Sequence, residues 1–177
     1  MSELAQDFVK HLQTLAERNR GALAELRRSA GFAPGAYPPA YPHVERFVPT
    51  DSHAEDSFRR ALYLTAALFA QLPKQQTGCS FAQAFGALWR QRDSASLEQR
   101  FVTLLDAEPE TLPNYLRQAF SLLAAEQQGL DYAALLQDLA RWLSSWQPQR
   151  YDGVSGRDLV RRNWARDFYR QSAPLND

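Results

Sequence analysis

Lysine is almost missing from this chain. Only Lys10 and Lys74 stand beside eighteen arginines, and the twenty basic side chains are matched by twenty acidic ones. A zero net charge excludes a generally adhesive cation, so any positive surface has to be built by placement. Cysteine is scarcer still. Cys79 stands alone, which excludes an internal disulfide and a cysteine-built metal site. Three histidines, His11, His43 and His53, occur without an HExxH or a paired Glu-x-x-His motif, so helical zinc or di-iron centres lack their usual ligands. The histidines read as solvent-exposed residues near loops. There is no phosphate-binding GxxxxGK[ST] or GxGxxG loop and no GxSxG nucleophile elbow. A catalytic role for Cys79 would need a histidine packed against it, and a lone cysteine is more often a small buried filler. We therefore expect no enzyme and no cofactor.

Long apolar runs are also absent. The best, ALYLTAALFA at 61–70, falls far short of a membrane span. The start, MSELAQDFVK, is acidic where a signal peptide would be basic and then apolar, so the reading is a soluble, cytoplasmic protein. What the chain does have is hydrophobic content, 45% with four Trp, seven Tyr and ten Phe, enough for a substantial core.

Apolar residues recur at helical spacing almost throughout. Leu4, Phe8, Leu12 and Leu15 form a stripe over 3–19, and Gly21 interrupts before ALAELRRS. A proline-aromatic loop, GFAPGAYPPAYP, fills 31–42, with a short helix expected around 43–47. Ser52 and Glu55 have capping-box spacing for a helix running to about Leu72. Further helices are expected over 80–91, 95–106, 112–127 (ended by Gly129), 132–146 (capped by Asp131) and from Ser155 to near Arg170. No stretch alternates with period two. The expectation is an all-α fold of about eight or nine helices in two small bundled lobes, residues 1–76 and 77–177.

The tryptophans Trp89, Trp142, Trp146 and Trp164 could stack on nucleobases, but those on helix stripes with Leu or Phe neighbours read as core. The arginines remain. Guanidinium is a flat five-donor fork suited to phosphate or carboxylate, although an arginine-for-lysine bias is also what a GC-rich genome writes. The pairs Arg27-Arg28, Arg59-Arg60 and Arg161-Arg162 should spread over solvent-facing arcs of their helices. Taken alone they would be salt-bridged, solvated faces.

The order of several segments says more. SLEQRFVTLLDAE at 96–108, LPNYLRQAFSLLAAEQQGLDYAALLQDLARW at 112–142 and RRNWARDFY at 161–169 resemble the CasB family, the small subunit of the type I-E CRISPR surveillance complex, Cascade. GALAELRRSAGFAPGAYPPAYPHVERF at 21–47 fits as well. The resemblance implies a helical, non-catalytic subunit that works in antiviral defence. Two copies would lie beside the backbone and large subunits, with guide RNA and with target and non-target DNA as partners. The family's basic surfaces steady the R-loop and the displaced strand. Carried over by motif, the phosphate-contacting residues would be Arg27 and Arg28, Arg100, Arg117, and Arg161, Arg162 and Arg166, with Arg90 and Arg92 as weaker matches. Such contacts position a strand without reading it, and guide pairing would supply specificity. Gln118 replaces a second arginine found in some members, the QPQRYDGVSG loop is long, and Asp106, Glu108 and Glu110 would repel phosphate locally. The alternative is a helical protein–protein adaptor that does not touch nucleic acid.

Overall fold

The structure is a computed structural model that describes residues 3–144 and 155–170. Its elements are α1 (Glu3–Arg18), α2 (Arg20–Ser29), the single turn α3 (Tyr41–Val44) flanked by two 3-10 turns, α4 (Ser57–Gln71), α5 (Phe81–Arg92), α6 (Ala95–Leu105), α7 (Leu112–Ala125), α8 (Tyr132–Trp142) and α9 (Gly156–Arg170). Among the described residues the architecture is all-α, with nine α-helices and a lone bridge between Gln75 and Leu130. None of these helices is long and apolar enough to cross a membrane.

The apolar run at 61–70 becomes the centre of the molecule. Every residue from Ala61 to Ala70 on α4 is buried, and the helix packs against α8, α2, α7 and α1. A helix apolar all round has to be covered all round. Buried residues from both halves of the chain, among them Phe8, Leu26, Phe69, Phe120, Tyr132 and Phe168, belong to one cluster.

Several helix ends differ from the sequence reading, each for a local reason. The break after α1 falls at Asn19, whose side chain accepts from Ala22 N at 2.9 Å, while Gly21 lies inside α2. α4 starts at Ser57 rather than behind Ser52. Asp56 caps it, accepting from Phe58 N (2.9 Å) and Arg59 N (3.0 Å), while Glu55 sits 3.9 Å from Arg60. A carboxylate accepting two orphan N–H groups outcompetes a hydroxyl capping box four residues upstream. α7 stops at Ala125 without using Gly129. Gln127 adopts φ +51, its N–H reaches Ala124 O and that of Gln128 reaches Leu123 O, a Schellman closure. Gly129 serves close approach instead: a Cβ there would lie 2.8 Å from Lys74 O. α8 ends at Trp142, and Trp146 and Arg150 lie outside the described residues.

Arg59 does not face solvent. It is buried on α4, with its guanidinium over the rings of Tyr63 (4.8 Å) and Tyr41 (5.7 Å) and Nη2 3.4 Å from Glu45. Tyr63 donates a short hydrogen bond to the same carboxylate. This cluster clamps the proline loop onto α4.

His11 is likewise no loop-side bystander. Arg46 Nη2 lies 2.6 Å from His11 Nδ1 and His43 O lies 2.8 Å from Nε2. Guanidinium can only donate and a carbonyl can only accept, so the imidazole is neutral with its proton on Nε2. Burial, reinforced by the Arg46 charge, lowers its pKa from 6.5 against the raising effect of the His43 bond. The folded state thus favours the neutral ring. The stability this contributes is present above the ordinary value and is lost as pH falls through the lower folded one. His11→Gln keeps an Nε donor but cannot titrate. Urea unfolding from about pH 7.5 to about pH 5.5 should show wild type losing stability relative to this variant. Parallel curves would contradict a neutral His11 held between Arg46 and His43 O.

Candidate nucleic-acid interface

α9 is amphipathic with an unusual division of its arginines. Val160, Trp164 and Phe168 face inward, and Phe168 stacks on Phe101 at 4.0 Å and on Trp89 at 4.8 Å. Gly86 lets α5 approach so closely that a Cβ would meet Phe168 O at 2.8 Å. α9 is therefore seated firmly, and Trp164 Nε1 adds a bond to Asp138 at 2.8 Å. Along one flank, Arg157 forks onto Glu108 (2.7 and 2.9 Å) and Ala107 O (2.8 Å), holding the Glu108 carboxyl below its ordinary pKa range. Arg161 sits between Asp106 (3.7 Å) and Asp158 (3.6 Å), above the Trp142 ring. The acidic run that would repel a phosphate is thus partly neutralised from within.

The outer face is different. Arg162, Arg166, Tyr169 and Arg170 are all exposed. Arg162 and Arg170 make no side-chain hydrogen bond or close ion pair among the described residues, although the Arg162 charge reaches Asp158 one turn earlier, and Arg166 bonds the neutral Asn163. Spaced at i, i+4 and i+8, the three cations recur about every 6 Å along the axis. Arg170 was absent from the motif-derived set, although the same four-residue spacing marks it.

The other motif-derived arginines fall elsewhere. Arg27 donates from Nε and Nη2 to Ala70 O (3.1 and 3.0 Å), covering that carbonyl at the end of α4. Arg117 reaches Ala30 O at 3.0 Å, and its own carbonyl accepts from Gln71. Both are brought together at the junction of α2, α4 and α7, where they also hold the fold. Arg28 is exposed and pairs with Glu25 at 2.7 Å. Arg20, two turns before Arg27 and Arg28, and neighbouring Arg18 are exposed without partners among the described residues. Arg92 pairs with Glu126 at 2.5 Å at the end of α7. Arg100 is exposed and borders a crevice between α6 and α7, and Arg90 is half-buried on α5. The structure thus divides the set among α2, the α5–α7 side and α9.

The tryptophans follow their stripes: Trp142 and Trp164 are buried and Trp89 is half-buried. Cys79 is half-buried, and burial with the charges of Asp131 and Asp167 pushes its thiol pKa up, the opposite of nucleophile activation. Among the described residues no three histidine, cysteine or acidic side chains are grouped to hold a metal.

Residues 22–169 match the family model described as CRISPR-associated protein Cse2. The chain belongs to the Cse2 family. A curated Cse2 of Thermus thermophilus is 39% identical over 165 residues, covering 92% of this chain and 86% of that protein. A Cse2-family crystal structure from the same organism superposes with a TM-score of 0.77 at 36% identity over 96% of this chain and 99% of that one. CasB of M. ruber gives 0.73 at 30% identity, with 97% and 96% covered. A chain of a CRISPR RNA-guided surveillance complex shares the fold, with a TM-score of 0.73 at 24% identity and 95% and 92% covered. The Cse2 match takes in α2 from Ala22, the proline loop and α9 up to Tyr169, so Arg28, Arg162 and Arg166 lie inside it and Arg18, Arg20 and Arg170 just outside.

Proposed function

We propose that this Cse2-family chain is the non-catalytic small subunit of a type I-E CRISPR surveillance complex. It steadies the R-loop by holding phosphates of the displaced strand. The observation that carries this reading is the outer face of α9, where Arg162, Arg166 and Arg170 are exposed at one-turn intervals while the adjacent Arg157 and Arg161 neutralise the nearest acidic loop. A flexible, evenly charged backbone is met by evenly spaced forks, which bind without reading sequence. Zero net charge suits a subunit held in place by neighbours: it needs a basic track rather than a basic surface. Backbone and large subunits, guide RNA and a second copy of the chain are its partners in this reading, and Arg27, Arg28, Arg92, Arg100 and Arg117 are further candidate contacts.

The test is reconstitution with the larger subunits and guide RNA. Arg162→Glu, Arg166→Glu and Arg170→Glu together should leave assembly intact but expose the displaced strand to nuclease. Undiminished protection would remove α9 from the strand path. Failure to assemble, with strand contacts unaffected, would favour the adaptor reading.

A further inference from the structure

The turn leaving α2 carries a phenylalanine that the core does not use. Phe32 is 52% exposed, more than any other large hydrophobic side chain among the described residues. It is nevertheless held. Its ring stacks on Tyr37 at 4.7 Å and 27°, and Tyr37 donates to Glu25 Oε2 at 2.7 Å while Arg28 binds Oε1 at 2.7 Å. The backbone is closed by Phe32 N to Ser29 O (3.0 Å) and Ala36 N to Ala33 O (2.9 Å). Gly35 adopts φ +84 against Arg59, where a Cβ would lie 2.3 Å from Nη1, and its carbonyl accepts from Tyr41 at 3.0 Å. The ring is therefore preorganised, with one face against Tyr37 and half its surface in water.

One guanidinium lines the crevice beside it. Arg117 bonds Ala30 O, two residues before Phe32, and a narrow crevice is lined by Phe32, Tyr37, Pro113 and Arg117. The carboxylates that hold this loop are already engaged, Glu25 by Arg28 and Tyr37 and Glu45 by Arg59 and Tyr63. Of the other exposed residues of this loop, Gly31, Ala33, Ala36, Pro38 and Pro39 carry no aromatic ring, and Phe32 is its most exposed aromatic side chain. A single fixed ring flanked by guanidinium groups matches one flat ligand joined to phosphate.

We propose that Phe32 is a stacking platform for an unpaired nucleobase, with Arg28 and Arg117 taking the adjoining phosphates. Every base offers a π-face, so the platform is sequence-tolerant. The inference rests on the reading that this chain meets a nucleic-acid strand, and it adds a base contact to a surface otherwise described through phosphates.

The test uses the full chain at low salt and fluorescence anisotropy with three labelled oligomers of equal length: oligo-dT, oligo-rU and an abasic deoxyribose-phosphate strand. Phe32→Leu keeps an apolar side chain without a π-face, and Phe32→Trp keeps stacking. The leucine variant should bind oligo-dT about 5- to 150-fold more weakly, with the tryptophan variant close to wild type and all three equal on the abasic strand. The rU arm shows whether an RNA base serves as well as a DNA base. Unchanged dT binding by the leucine variant overturns the platform, as does an equal loss on the abasic strand. Strand binding kept but entry into the assembled complex lost would make Phe32 a protein contact and also overturn it. If wild type binds dT and abasic strands equally, the platform fails while the phosphate-holding reading stands. If wild type binds no strand, both fail.

Discussion

Asp131→Ala is expected to destabilise the protein by about 3–5 kcal/mol, lowering the melting temperature by roughly 6–20 °C. Asp131 is 2% exposed, and its carboxylate is saturated with donors. Oδ1 accepts from Ala133 N (3.0 Å), Ala134 N (3.3 Å) and Gln75 Nε2 (3.2 Å), and Oδ2 accepts from Gly78 N (2.9 Å). One side chain therefore caps α8 and fastens the 75–79 connection between α4 and α5. Around it, Gln75 Oε1 accepts from Tyr132 N, Leu130 O from Gln76 N, and Cys79 O from Asp131 N. Alanine strands several donors at once, and buried unsatisfied donors cost more than a hydrogen bond gains. Asp131→Asn, which keeps an oxygen for the cap, should cost about 1–2 kcal/mol. Urea unfolding followed by far-UV circular dichroism checks both. An alanine variant within 1 kcal/mol of wild type would show that water replaces the carboxylate (~1 kcal/mol being the size of one ordinary hydrogen bond).

The second large effect concerns salt. If Arg162, Arg166 and Arg170 each neutralise one phosphate of a single strand, they contribute about −2.1 to the slope of log affinity against log salt concentration. Between about 50 and about 200 mM salt, that is a loss of about 20-fold in wild-type affinity assignable to these three residues alone. Reversing all three to glutamate should flatten the slope by about 2, beyond the drop in affinity at any one concentration. Lys10→Glu, on α1, serves as a control for charge change elsewhere. A slope that stays at its wild-type value while affinity drops would mean that the variant acts through the fold. Far-UV circular dichroism distinguishes the two, since these side chains face solvent and α9 is seated through Val160, Trp164 and Phe168.

Much of the fold was legible because helix periodicity is local. The stripes through Phe81, Phe85 and Leu88 and through Trp142 face the core as their spacing indicates, and Asp131 and Ser155 stand at the helix starts assigned to them. Misread ends came from competition between neighbours of similar chemistry: Asp56 over Ser52, Asn19 over Gly21, and Gln127 rather than glycine accepting a left-handed conformation. Arginine was the hardest to read. The same side chain caps α4 at Arg27, fills a buried aromatic pocket at Arg59, forks onto Glu108 at Arg157 and stands open at Arg162. Nothing local separates these roles, because each depends on which carboxylate or carbonyl a distant segment brings within about 3 Å.

Composition and spacing by themselves therefore determined an all-helical protein, rich in arginine yet neutral, while the family came from the resemblance of its ordered segments. Tertiary packing alone decided which arginines are consumed and which are offered. It also turned Phe32 from one more aromatic in a proline loop into a fixed, half-exposed ring beside Arg117. The physical reason is range. Helix propensity and capping act over a few residues, whereas charge pairing and burial are settled between residues that the chain places far apart.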